Sequence, residues 1–420
     1  MIMRDRLPAD VRLNFTCNVL DGALFGLAMS LVSRTAVLPV FVKKIGGDNI
    51  AVGLIPVIWV LGFNLPQLLV ARQAQTLERI KPLVLMTAVM QRLPWLLLAA
   101  LALWVFAHVS TTTALILFFV TFALAAVGGS INLPAWFELV AKITPVRLRG
   151  RLFGMRTVVG AGLGLAGGWL VERVLEARGF LDGFALLAWL AFAATMASYV
   201  FLVLLREPVS DVHGAASSRR AFLDRLPAIL REHRNFRNFI IAEALLVAAT
   251  TVNAFFAVDA FSRFDLTDGY AGRFTAVGAG SVMVGSMAFG YVADWFGHKL
   301  TMLLSAGMLA LACLVAIGAP SVLVYYFVFV AAAFSLSLRS ISELAIVAEL
   351  CRESERPTFM ALKNAVTAPF VLLGLVAGFL ANELGYQVLF WVAASISMAA
   401  ALWLALMVKE PRLDPQSQNP

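Results

Sequence analysis

Charge is scarce in this chain. Asp, Glu, Lys and Arg together make up 14% of its 420 residues, against roughly a quarter in an ordinary soluble domain. No stretch reads as a soluble domain of its own. Cysteine is scarcer still: Cys17, Cys313 and Cys351 lie within or at the ends of apolar runs, so no disulfide framework is implied. The histidines, His108, His213, His233 and His298, are scattered, and neither His-Glu-x-x-His nor Gly-x-x-x-x-Gly-Lys occurs. These absences argue against metal-dependent and nucleotide hydrolysis, and no metal or cofactor is expected. An enzyme acting on lipid, with catalytic groups converging from different runs, remains open. A cleaved leader is not indicated either. The first apolar run is too long, carries Asp21 and ends without a small-residue cleavage pattern, so it is expected to stay as a membrane helix.

Apolar residues fill the space that charge leaves. They make up 61% of the chain, and a helix crossing the hydrocarbon core takes about 20 predominantly apolar residues. Twelve such spans can be drawn: 17–42, 51–74, 82–107, 112–142, 151–178, 183–206, 236–262, 270–294, 299–318, 321–350, 357–383 and 387–408. The expected fold is an all-α polytopic membrane protein. Its expected divisions are residues 1–206 as one six-helix bundle, 207–235 as a linker, 236–408 as a second bundle, and 409–420 as a tail.

The basic residues orient these spans. Assigned alternately to two sides, most Lys and Arg fall on the side of the amino terminus, and the other side keeps Lys43, Lys44, Arg173, Arg178, Arg263 and Arg273. Short basic loops stay in the cytoplasm, so both termini are expected there, in an inner or plasma membrane. The net charge of +8 is then a topology signal and needs no nucleic-acid partner. In the one long connection, RRAFLDRLPAILREH sets apolar residues against arginines at near-helical spacing. An amphipathic segment on the anionic inner leaflet, or a target helix for a regulatory protein, fits that pattern.

The halves echo each other. A shift of 207 residues lays Arg149 on Arg356, Arg156 on Lys363 and Gly167 on Gly374, each group opening the span after a basic loop. At the end of the eighth span stands GYVADWFGHK, with Gly290, Asp294, Gly297, His298 and Lys299. This stretch resembles the Gly-x-x-x-Asp-x-x-Gly-basic-basic signature of the major facilitator superfamily. Twelve spans split six and six around a long middle loop fit that family too. The resemblance implies a secondary transporter with its solute site between two bundles near the midplane. It also implies a latch in which Asp294 faces the start of the eleventh span at Arg356-Pro357, where helix amides favour a carboxylate. Gly290 is expected to allow close helix approach and Gly297 a sharp turn. The amino-terminal counterpart, VARQAQTLERIK, has Arg72 and Thr76 in place of the glycine and the acid, with Glu78 nearby.

In the fifth span, VVGAGLGLAGGWL formally matches a dinucleotide-binding fingerprint, but no strand precedes it. Gly160, Gly164 and Gly168 recur every four residues and give a smooth packing face. The stretch also resembles the glycine-rich helix of antiporter members of the family, without that motif's proline, and favours efflux slightly.

Polar groups inside spans mark the expected pathway, since an ionisable group at the bilayer centre costs at least about 2.5 kcal/mol. They are Asp21 and Arg34 in the first span, Asn132 in the fourth, Glu243 and Asn253 in the seventh, and Arg339 and Glu343 in the tenth. By family resemblance these four spans line the cavity. Arg339 and Glu343, four residues apart, can pair, and a purely structural ion pair fits them equally. Asp21 and Glu243 lie near span ends, where snorkelling to water would make them ordinary. Arg92, in the third span, reads as structural. The expected function is a secondary active transporter moving a small organic solute, with a lean toward anionic or amphipathic ones. Protons are its candidate coupling ion through Glu343 and Asp21, its surroundings are the lipid bilayer, and its form is a monomer. A lipid scramblase, or a transport-dead receptor of the same fold, is the alternative.

Overall fold

The computed structural model describes residues 8–67, 79–208, 229–351 and 355–410, and every regular element among them is helical. The helices are α1 (Ala9–Leu31), α2 (Val37–Lys44), α3 (Asn49–Asn64), α4 (Lys81–Trp104), α5 (Thr111–Ile143), α6 (Val146–Ala177) and α7 (Phe180–Leu204). Then come α8 (Arg234–Thr250), a 3-10 turn (Thr251–Ala254), α9 (Phe256–Phe264), α10 (Tyr270–Phe296), α11 (His298–Gly318) and α12 (Val322–Glu349). The last are α13 (Arg356–Thr367), a second 3-10 turn (Ala368–Leu372), α14 (Leu373–Glu383) and α15 (Gly385–Met407). Among the described residues, ten helical stretches are long and apolar enough to cross a membrane, with α8–α9 and α13–α14 each counted as one. The chain is an all-α, multi-pass integral membrane protein.

Three spans that read as continuous are interrupted. The first runs as α1, which starts at Ala9 rather than 17, and α2, with an irregular Val32–Ala36 between them that exposes Arg34 and Thr35. Apolarity marks the membrane, but helix ends are set by backbone hydrogen bonding, so the polar first turns behind Pro8 are helical too. In the seventh span, Thr250 Oγ1 donates to Val247 O (2.8 Å) and Thr251 Oγ1 to Ala248 O (2.7 Å). Such bonds loosen the helix ladder where the 3-10 turn forms. In the eleventh, Pro369 cannot donate to the ladder and its ring crowds the preceding turn. The VARQAQTLERIK stretch from Arg72 to Glu78 and most of the amphipathic linker segment lie outside the described residues.

Two compact units result. One holds Met1–Ser33 and Gly62–Ala215, the other Arg34–Leu61 and Ala216–Pro420. The division is therefore not a simple cut at the linker: α2 and most of α3 belong to the second unit, where α2 packs on α9 and α10. In the first unit α1 packs on α6 and α7, and α4 on α5 and α7. In the second, α8 packs on α15, and α11 on α12 and α15. First span on sixth, third on fourth and third on sixth thus recur as seventh on twelfth, ninth on tenth and ninth on twelfth.

Lipid offers no hydrophobic drive for helix association, so close packing through small residues carries it. The glycine face of α6 meets α1: a Cβ at Gly26 would lie 2.9 Å from the Gly160 Cα and carbonyl oxygen, and Gly164, Gly167 and Gly168 are buried. Gly290 behaves differently from expectation. A Cβ there would meet nothing within 4 Å among the described residues. Gly26→Val should therefore destabilise by about 1–3 kcal/mol through overpacking, seen as a lower melting temperature in detergent. Gly290→Val should melt like the parent.

Candidate functional site

In the first unit the acid of α1 is buried. Asp21 Oδ2 accepts from Arg156 Nη1 of α6 at 2.9 Å, and its Oδ1 accepts from Ser198 Oγ of α7 at 2.6 Å. Arg156 also donates to Asn18 O and lies 4.7 Å from the Trp136 ring centroid, an apolar shelf under the guanidinium. Asp21 does not snorkel; it is held by a charge-assisted pair. Arg92 of α4 gives Nε to Thr195 O (2.8 Å), Nη1 to Ala88 O (2.8 Å) and Nη2 to Ser198 Oγ (3.2 Å). It ties α4 to α7, one hydroxyl away from Asp21. Asn132 spends its amide on Val84 O and Thr87 Oγ1, both at 2.9 Å, so it fastens α5 to α4 and joins no ionisable group there.

The second unit assembles a larger charge cluster from α8, α12 and α13. Glu243 is fully buried, and its Oε1 accepts from Arg339 Nε (3.0 Å) and Nη2 (2.5 Å). One turn along α12, Glu343 Oε2 lies 3.8 Å from Arg339 Nε, and Glu343 Oε1 accepts from Lys363 Nζ of the buried α13 lysine. Two acids thus meet two bases. Glu243 Oε2 is buried without a hydrogen-bond partner among the described residues. So is Asn253 Oδ1, in the 3-10 turn that interrupts the seventh span. Arg34 lies in the break between α1 and α2 with its guanidinium 4.0 Å from the Trp59 ring centroid.

Two members of these clusters, Arg156 and Lys363, escaped the reading of polar residues, although the 207-residue shift had already paired them. That shift, applied to basic residues inside spans rather than to loops, was the available signal. A third buried group also went unread. Tyr325 of α12 donates to Asp259 Oδ2 (2.7 Å) and Phe256 O (3.0 Å), and Arg263 donates to Ala316 O (2.6 Å).

The GYVADWFGHK stretch spans the α10–α11 corner. Gly297 has φ +87°, a left-handed backbone that favours glycine, and a Cβ there would lie 2.7 Å from the Glu410 carboxyl group. His298 Nδ1 lies 3.3 Å from Ser342 Oγ and its Nε2 lies 3.8 Å from Glu349 Oε1. Lys299 Nζ donates to Ala405 O at 3.0 Å. Asp294 is exposed on α10.

Comparison with known proteins agrees with this architecture. Residues 263–420 match the sequence model of the Major Facilitator Superfamily. The chain is similar in structure to a mutant form of the nucleoside transporter NupG, with 14% identity, TM-score 0.73, 95% of this chain and 100% of that one covered. It is also similar to a D-xylose-proton symporter, with 16% identity, TM-score 0.69, 96% and 99% covered. A third likeness is to a POT family transporter in complex with 5-aminolevulinic acid, with 12% identity, TM-score 0.73, 98% and 97% covered. No curated protein matches it at the sequence level. The fold and the helix pairing define a polytopic, all-helical chain of two units. The family model thus matches the carboxyl-terminal part of the chain, and the likeness to the solved structures extends over nearly all of it.

Arg339 tests how strongly the cluster is knit. Removing one partner of a buried ion pair costs about 3–5 kcal/mol, because the other is left charged without compensation. Arg339→Met should therefore lower the melting temperature sharply. Arg339→Met combined with Glu243→Leu should restore most of the loss.

Proposed function

We propose that the chain is a secondary active transporter with both termini in the cytoplasm, moving a small organic solute by alternating access with protons as the coupling ion. The observation that carries this reading is the cluster of Glu243, Arg339, Glu343 and Lys363, which is neutral as a whole and lies on membrane helices, with Glu243 and Lys363 buried and Arg339 and Glu343 partly buried. Ionisable groups at this depth are costly and are kept where they do work. Glu343 is the acid that faces both bases. A proton on Glu343 leaves two cations against Glu243 alone, a net positive site that a solute carboxylate or phosphate can neutralise. Proton and anionic solute then enter together, because either alone leaves the cavity unbalanced. The Asn253 carbonyl oxygen, in the broken seventh span, offers an acceptor to a solute donor. Broken helices are where transporters of this general kind place their sites. That one structural neighbour is a proton symporter accords with the reading.

A transport screen in proteoliposomes, run with and without an imposed pH gradient, tests it. The expected result is solute accumulation that follows the gradient in the parent. Glu343→Gln should lose gradient-driven accumulation while still exchanging solute between equal concentrations. Transport indifferent to pH would remove proton coupling. Equilibration of a labelled lipid without any gradient would favour a scramblase instead.

The α10–α11 corner is proposed as the gate, with Asp294 set to meet the amino-terminal end of α13 in one state alone. A helix-dipole interaction of about 0.3–1 kcal/mol present in one state shifts a two-state population roughly two- to five-fold. Asp294→Asn should change the accessibility of an engineered cysteine at this gate by that factor. Burial pushes the native Cys351 thiol up to about 11, so it contributes little background labelling. Equal accessibility in variant and parent would reduce the stretch to a turn.

A further inference from the structure

The sixth and twelfth spans end alike. Leu205-Arg206-Glu207-Pro208 and Val408-Lys409-Glu410-Pro411 stand 203 residues apart, and α7 and α15 stop at Leu204 and Met407, in the same register before them. Leu205 and Val408 leave the helix with extended backbone and are buried in the apolar clusters at that end of each unit.

Polar contacts repeat around both corners. In the first unit, Asn14 Nδ2 of α1 donates to Arg206 O (2.9 Å) and Arg206 N donates to Asn14 Oδ1 (2.8 Å). In the second, Asn235 Nδ2 of α8 donates to Lys409 O (3.1 Å) and Lys409 N donates to Asn235 Oδ1 (2.9 Å). Lys81, at the start of α4, gives Nζ to Val203 O (2.6 Å) and Leu205 O (2.7 Å), closing the carboxyl end of α7. Lys299, at the start of α11, gives Nζ to Ala405 O in the last turns of α15. Between them stands the acid. Glu207 accepts from Ile80 N (2.8 Å) and Lys81 N (2.9 Å), the first amides of α4, and from Lys142 Nζ (2.9 Å) at the end of α5. Glu410 places its carboxyl group against Gly297, at the start of α11, with its Oε1 buried and accepting no hydrogen bond among the described residues. The first amides of a helix have no partner within it, and a carboxylate there gains hydrogen bonds and the helix dipole together.

We propose that Glu207 and Glu410 are equivalent positioning residues, duplicated with the two halves. Each clasps the start of the third or ninth span to the end of the sixth or twelfth, so that the basic end of each unit holds together as one body. The clasp is a property of each unit alone and stands whether or not the transport reading does. The Glu207 carboxyl is consistent with it: burial pushes the group up, and the two amides with Lys142 more than reverse that, holding it below the usual carboxylate range. A depressed carboxyl stabilises above its unfolded pKa and loses that contribution only as pH falls through the folded one. The clasp therefore stays closed at neutral pH.

Hydrogen exchange of the full-length protein in lipid nanodiscs, followed by mass spectrometry, reads the clasp without any solute. In Glu207→Gln, exchange at residues 80–81 should rise by at least about tenfold, since a bond to a charged acceptor contributes at least one such factor. Residues 298–299 should keep parent rates. Glu410→Gln should do the reverse. Glu207→Asp should recover part of the protection. The charge swap Lys142→Glu with Glu207→Lys should not, because helix amides need an acceptor that lysine does not supply. Parent-like exchange in both single variants would overturn the proposal. So would equal loosening of both units by either variant, or rescue by the swap.

Discussion

A charge placed in hydrocarbon must find its opposite inside the same unit, and much of this structure follows from that requirement. Asp21 reaches Arg156 across the α1–α6 contact, and Glu243 reaches Arg339 across α8 and α12. Glu343 draws Lys363 of α13 toward the same point. These pairs fix which helix faces are turned inward, and the glycine contact of Gly26 with Gly160 lets α1 and α6 come close. In the second unit matching leaves the cluster neutral, and neutrality makes it responsive. Adding one proton to an acid there changes the balance by a whole charge.

The backbone obeys a parallel rule. Each amide must be satisfied within its helix or by a neighbour, so interruptions occur where side chains supply a substitute. The threonine hydroxyls before the seventh-span turn and the proline in the eleventh are two such places. The helix ends at the basic side are handled by Glu207, Lys81 and Lys299, which turn unpaired amides and carbonyls into contacts between helices. Buried pairs inside and clasped ends at one face are complementary: the first give a unit its chemistry, the second its stiffness.

Much of the fold was legible in the sequence because hydrocarbon imposes a coarse code. Eight of the spans, such as 112–142 against α5 and 299–318 against α11, lie within a few residues of their helices. The break in span seven was not legible, since apolar composition runs on through it apart from the threonines whose hydroxyls make the local hydrogen bonds. Asp21, Glu243, Arg339 and Glu343 were visible as charges in apolar runs. Their partners Arg156 and Lys363 lie closer to basic loops and read only as a match between the two halves. Asn132 stood out equally, yet its amide serves α4, because polarity alone does not say which neighbour a side chain faces. Gly290 matched a motif, but a motif carries no record of what lies opposite.

The central claim is that a cluster balanced by Glu343 takes up a proton together with an anionic solute. Proton uptake on solute binding tests it most directly, followed with a pH indicator in weakly buffered, detergent-solubilised protein. The account predicts that the parent takes up a proton with each anionic solute bound and that Glu343→Gln binds solute without proton uptake. Binding by the parent with no proton exchanged, or unchanged uptake in Glu343→Gln, would contradict it.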